Sequence, residues 1–220
     1  MPFLHPIFII SILMAISIHE ASHAFMARRL GDPTAAALGR LTLNPLAHLD
    51  LLGALMFITV GFGWAKPVPV NPLHFAHPKR DTALVALAGP LSNLVLAFVA
   101  FALDALLFQS ALTRFRSEML AGNGAVLQMF LEQLLRSSVY VNVGLMAFNL
   151  LPIAPLDGSK IIQPWIPWEW QSQYEKFLQQ GPIFLLLILV FEPLLPFPIL
   201  SWWVSGIADA VLQMFSMIFG

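Results

Sequence analysis

The sequence predicts a membrane all-α fold: one integral-membrane domain over residues 1–220, built as a polytopic bundle of about five to six transmembrane helices. A re-entrant or strand-like segment is expected near residues 40–70. Three observations predict this. Apolar residues make up 58% of the chain and charged residues only 10%, against about 25% charge in a soluble domain. Several stretches free of Asp, Glu, Lys and Arg approach the roughly 20 helical residues that cross about 30 Å of hydrocarbon. No internal repeat or low-complexity tract divides the chain.

Taken in order, residues 1–18 carry no Asp, Glu, Lys or Arg, and their apolar pattern runs on to Phe25. They lack the basic start of a cleavable leader and read as a first span. Residues 82–103 form a second uncharged span, and residues 137–156 a third that ends at Pro152 and Pro155. Beyond Phe177 the chain reads as two spans, near 181–195 and 198–219, separated by Pro193, Pro196 and Pro198. Residues 51–65 are apolar but too short to span, with Gly53, Gly61, Gly63 and the β-formers Phe57, Ile58, Thr59, Val60 and Phe62. They suit either a re-entrant or strand-like element buried against protein, whose free edge could pair with another chain, or an ordinary short helix lying in the interface. Prolines 67, 69 and 72 make residues 66–81 extended and aqueous. Residues 109–127, with Arg114, Arg116 and Glu118, suit a surface helix. Residues 157–180 read as a polar loop whose Trp165, Trp168 and Trp170 fit the headgroup level.

Orientation follows from the cations. Arg28, Arg29, Arg40, Lys66, Lys79, Arg80, Lys160 and Lys176 share one face if the spans alternate, against Arg114, Arg116 and Arg136 on the other. The positive-inside rule then places residues 28–81 and 157–180 in the cytoplasm and the N-terminus outside, in a multi-pass protein of the cell membrane.

The chemistry concentrates at His19-Glu20-Ala21-Ser22-His23, an HExxH motif at the end of the first span. Two histidines four apart share a helix face and can hold one metal ion. Glu20, rotated about 100° from His19, suits a base acting on water rather than a ligand. With six histidines in 220 residues, chance supplies this motif in roughly 0.004 of such chains. Three ionisable groups beside an apolar span are costly and usually functional. The chain has no cysteine, so there is no disulfide and no thiolate ligand. A catalytic zinc needs a third protein ligand, and the acidic candidates are Asp50, Asp104, Asp157, Glu192 and Asp209. Asp157 follows two prolines at a span end and could equally be a turn residue before Gly158. A net charge of −1 argues against a nucleic-acid partner.

Residues 19–23 (HEASH), 89–93 (GPLSN) and 149–158 (NLLPIAPLDG), with 39–50 (GRLTLNPLAHLD) and 64–72 (WAKPVPVNP), resemble compact members of the site-2 protease family of intramembrane zinc metalloproteases. The resemblance covers about residues 15–160. It implies one zinc ion per chain on His19, His23 and Asp157, with Glu20 as general base. It implies a membrane-associated β-hairpin around 40–70 and a functional asparagine at Asn93. It also implies substrates that span or are anchored in the lipid bilayer. A regulatory insertion of the PDZ or CBS type is not expected. Asn93 is either glue between helices or a hydrogen-bond donor to substrate or oxyanion. His48 is either a proton donor or site-supporting residue, or a histidine capping the turn before Asp50. Asn149 either contacts substrate or caps a helix end. Two other classes compete: a catalytically silent membrane metal-binding scaffold, which would not need Glu20, and a transporter, for which matching repeats are absent.

Overall fold

The computed structural model describes residues 4–108 and 123–219. Among them the α-helices are α1 (Pro6–Arg29), α2 (Thr34–Ala37), α3 (Leu51–Val60), α4 (Pro78–Phe108), α5 (Asn123–Asn149), α6 (Asp157–Ile162), α7 (Gln171–Phe191) and α8 (Ile199–Phe219), with no strand. Four helical stretches are long and apolar enough to cross a membrane: α1, α4, α8 and Trp168–Phe191, which takes in α7. The expected third span lies within α5. Its 27 residues reach about 40 Å, but Glu132 and Arg136 make its first half more polar than a lipid-facing helix. Among the described residues, four of the expected five to six spans thus qualify by length and composition, while α5, packed against α4 and α1, has the length to cross beside them.

Helices α1, α4 and α5 form the centre. The buried face of α1 holds Ser11, Ala15, His19, His23 and Ala27, small residues interleaved with the two histidines. That of α4 holds Ala83, Ala86, Gly89, Pro90, Asn93, Ala97 and Ala100. Small side chains let backbones approach where lipid offers no hydrophobic drive to associate. Ser11 and Ser17 return their hydroxyls to the carbonyls of Ile7 (2.9 Å) and Leu13 (2.6 Å), so neither presents a bare polar group to an apolar core. At one end of the bundle Ala97, Ala100, Val139 and Val143 pack on Phe215 of α8. At the other, Leu151 and Leu156 pack on Leu185 of α7 and Leu200 of α8.

The segment near 40–70 is not a β-hairpin. Residues 51–60 form the helix α3, and the one strand-like pairing among the described residues is a single antiparallel bridge between Leu49 and Ala65. The caps explain the difference. Asp50 accepts from the Gly53 N–H (2.8 Å), and Gly61 ends the helix in the left-handed region at φ 83°. A helix also satisfies its backbone within itself, whereas a lone strand in an apolar setting leaves an edge unpaired. The glycines serve close approach: a Cβ on Gly53 would lie 2.1 Å from the Trp64 carbonyl oxygen, and one on Gly63 2.3 Å from that of Gly53. Leu51, Leu52, Leu55 and Ile58 face outward, while Phe8 stacks on Phe57 and Phe62 meets Phe148 edge-on. The segment is thus a short helix with a close-packed return, and it presents no free strand edge.

Its base is clamped. Arg40 is buried and donates to the carbonyls of Pro67 (3.1 Å) and Lys66 (2.6 Å), and the Lys66 N–H donates to the His48 carbonyl (2.8 Å). Asp32, fully buried, accepts from Thr34 Oγ1 (2.5 Å), the Asn71 N–H (2.7 Å) and His74 Nδ1 (2.8 Å). Burial alone would raise its carboxyl, but these hydrogen bonds outweigh it and hold the pKa at about 2. The staple therefore stays charged at neutral pH.

Three boundaries differ from expectation. Residues 66–81 are irregular, as proline requires, but include a short 3₁₀ turn at Pro72–His74, and α4 begins at Pro78. The supposed loop 157–180 is largely helical: it holds α6, two 3₁₀ turns and the first half of α7, and Trp165, Trp168 and Trp170 are exposed along it. Arg136 lies within α5, paired with Glu132 (2.5 Å) and Asp104 of α4 (3.5 Å), not in a loop. Of the expected surface helix 109–127, residues 109–122 lie outside the described residues, and 123–127 open α5.

Candidate metal centre

His19 and His23 stand one turn apart on the buried face of α1, and their Nε2 atoms approach to 3.0 Å. Asp157, the first residue of α6, brings Oδ2 to 3.1 Å from His19 Nε2 and 3.2 Å from His23 Nε2. All three residues are buried, and their ligand atoms lie within 4.8 Å of one another.

Local chemistry positions each group. After α5 the chain turns through Pro152 and Pro155, which cannot continue a helix, and restarts at Asp157. The restart needs glycine next: a Cβ on Gly158 would lie 2.3 Å from the carbonyl oxygens of both Leu150 and Leu151. Two contacts hold the turn from outside. Tyr174 of α7 donates its hydroxyl to the Ser159 carbonyl, and Gly181 of α7 lies against Ala154 so closely that a Cβ there would be 2.6 Å from the Ala154 oxygen. On α4, Gly89 faces the imidazoles directly, and a Cβ on it would lie 2.5 Å from His23 Nε2 and 2.6 Å from His19 Cε1. Pro90 lacks the N–H that would close on Ala86, which loosens this turn of α4. The nearby Val85 carbonyl accepts from His23 Nδ1 at 2.7 Å.

The donor set suits a cation. A backbone carbonyl only accepts, so His23 Nδ1 carries its proton and a neutral His23 turns a bare lone pair at Nε2 toward Asp157. Asp157 Oδ2 is buried with no hydrogen-bond partner. A lone pair and a carboxylate oxygen held 3.2 Å apart repel unless a positive charge lies between them. Two imidazole nitrogens and one carboxylate oxygen, with no thiolate, match the ligands of a catalytic zinc site that keeps a fourth position open.

The remaining residues singled out from sequence fall as follows. Glu20 is half-buried, next to His19 on α1. Asn93 is fully buried and its Oδ1 meets His19 Nδ1 at 2.6 Å. Both Nδ2 hydrogens are taken up, by the Ala15 carbonyl (3.3 Å) and by Asn142 Oδ1 (2.7 Å). His48 is buried within the 40–48 turn, with Nε2 on the Thr42 carbonyl (2.8 Å) and Nδ1 facing Arg40 (3.3 Å). Asn149 donates back to the Leu145 carbonyl (3.0 Å) at the end of α5. An open groove of about 390 Å³ lies between Leu41–Leu43 and the α1 face bearing Ile18, Ala21, Ser22 and Phe25. That face is roughly 130° around the helix from the histidines, so the groove is not part of this centre. Gly89, the Val85 carbonyl and Asn142 were not singled out from sequence. An amide in an uncharged span was the available signal for Asn142, as it was for Asn93.

Comparison with known proteins places the chain among metallopeptidases. The profile of peptidase family M50 matches residues 7–189. The chain is 38% identical over 216 residues to YwhC of Bacillus subtilis, a candidate zinc metalloprotease by name, covering 98% of this chain and 94% of that one. It is 33% identical over 183 residues to Rip2 of Mycolicibacterium smegmatis, similarly named, covering 81% of this chain and 64% of that one. No solved structure matches the chain.

Proposed function

The chain belongs to peptidase family M50, the site-2 protease family, and on that premise we propose that it is a zinc metalloendopeptidase cleaving membrane-spanning or membrane-anchored proteins. The observation that carries the reading is the convergence of His19, His23 and Asp157 through three buried ligand atoms. These residues would hold one zinc ion. Bound there, zinc would supply Lewis acidity to the scissile carbonyl and to the attacking water. Glu20 takes a proton from that water as its oxygen bonds to the carbonyl carbon. It returns the proton to the amide nitrogen as the C–N bond breaks, leaving a new carboxyl and a new amine. Burial of the ligands keeps bulk water from competing for them.

The cytoplasmic excess of cations supports a centre toward the cytoplasmic side, with the N-terminus outside.

A direct test compares three proteins in detergent or vesicles on a membrane-anchored peptide. Glu20→Gln is expected to keep its zinc while losing at least about 10²-fold in turnover, since only the proton carrier is lost. Asp157→Ala is expected to lose zinc itself. Wild-type turnover by Glu20→Gln, or wild-type zinc content in Asp157→Ala, would overturn the assignment.

A further inference from the structure

We propose that Asn142 of α5 is a positioning residue of the metal centre, which sets the proton of His19 through Asn93; the proposal rests on the zinc reading above. Three helices contribute one link each. Asn142 donates from Nδ2 to the Ser138 carbonyl one turn back (2.8 Å). Asn93 donates from Nδ2 to Asn142 Oδ1 (2.7 Å) and to the Ala15 carbonyl (3.3 Å). His19 Nδ1 lies 2.6 Å from Asn93 Oδ1. Relative exposure is 2% for Asn142, 0% for Asn93 and 4% for His19, so no solvent competes for these groups.

The direction of the chain is set by backbone carbonyls. An amide side chain has one end that donates and one that accepts, and a carbonyl can only accept. The Ser138 carbonyl requires the NH₂ of Asn142, so the oxygen of Asn142 turns to Asn93. That oxygen and the Ala15 carbonyl both require the NH₂ of Asn93, so the oxygen of Asn93 turns to His19. His19 must then hold its proton on Nδ1, and Nε2 is left bare toward Asp157 and His23. His23 reaches the same state through the Val85 carbonyl. The two ligand histidines are thus set by different devices, one by backbone and one by a two-amide relay across α4 and α5.

Without Asn142, the Asn93 amide keeps only its longer bond to Ala15 and can turn its NH₂ toward His19. The imidazole then accepts at Nδ1 and carries its proton on Nε2, where it blocks the metal. Losing a partner that orients a ligand histidine typically costs 10- to 100-fold in metal affinity. Asn142 stands one bond further out, so roughly tenfold is expected.

The test measures zinc affinity of full-length protein by chelator competition in detergent, for wild type, Asn142→Leu, Asn93→Leu and the double variant. Val143→Ala, a buried neighbour on α5, controls for general loosening of the core. Asn142→Leu is expected to weaken zinc about tenfold, with Val143→Ala unchanged. In the Asn93→Leu background the Asn142 change is expected to add less than twofold, since the link it acts through is gone. Asn142→Ser, which is too short to reach Asn93, provides the same reading should the leucine variant not fold. In metal-free protein, nitrogen NMR of the imidazoles should show His19 protonated at Nδ1 in wild type and a mixture in the Asn142 variants. Wild-type affinity in both Asn142 variants, or a full additive loss in the double variant, would overturn the relay alone. A wild-type protein that takes up no zinc would overturn the metal reading and the relay with it.

Discussion

At the scale of single residues, the centre depends as much on what is absent as on its ligands. Gly89 is the sharpest case. Its missing side chain makes room for two imidazoles, since a Cβ would lie 2.5 Å from His23 Nε2 and 2.6 Å from His19 Cε1. Those atoms are the ends of side chains, so α4 would not have to move; the histidines would. Alanine is also the better helix former by about 1 kcal/mol. That gain is outweighed by displacing two buried, hydrogen-bonded imidazoles, so Gly89→Ala is expected to cost on the order of 1–3 kcal/mol in stability and to weaken zinc at least about tenfold. Melting curves beside chelator competition would check this, and an unaltered zinc affinity would show that the close approach is not required. Asn93 illustrates the same economy. A polar amide in an apolar span invited a role toward substrate, yet each of its polar atoms already has a protein partner.

At the scale of elements, the hairpin of α3 and its return strand of chain is built by backbone contact, not side-chain bulk. Gly53 touches Trp64 and Gly63 so closely that no larger residue fits without parting the two arms. Gly53→Val is expected to open the hairpin at a cost on the order of 1–3 kcal/mol. Asp50→Ala, which removes only the cap, should cost about 1 kcal/mol. Zinc content should be unchanged in both, because His19, His23 and Asp157 find their partners in α1, α4 and α6. Hydrogen exchange across residues 51–65 is expected to rise in that order, valine above alanine. Equal protection in all three proteins would count against the tight packing of the arms.

At the scale of the whole molecule, the metal centre constrains the path of the chain. His19 and His23 lie in the second half of α1, and Asp157 follows the end of α5, so α1 and α5 must end near the same face, with α4 returning between them. This agrees with the orientation drawn from the cations. Cysteines at Ala76 and Ser172 are expected to react with an impermeant reagent from the cytoplasmic side, and cysteines at Leu4 and Pro196 from the opposite side. Reversed labelling would refute that orientation while leaving the path of the chain intact.

The histidine pair of the candidate metal centre and the membrane class were legible in the sequence for local reasons. His19 and His23 sit on one helix, whose periodicity alone puts them on one face, and composition alone requires lipid as solvent. Asp157 was legible only through its flanking prolines, glycine and family resemblance, because nothing local says which distant carboxylate meets α1. Residues 51–65 misled because a short apolar run with glycines and β-formers fits strand and helix equally; the cap bond from Asp50 and the left-handed turn at Gly61 decided for helix. The roles of Gly89, the Val85 carbonyl and Asn142 belonged to tertiary structure entirely. Each depends on which faces of α4 and α5 turn toward α1, and a hydrogen bond between helices leaves no period in the sequence of either one.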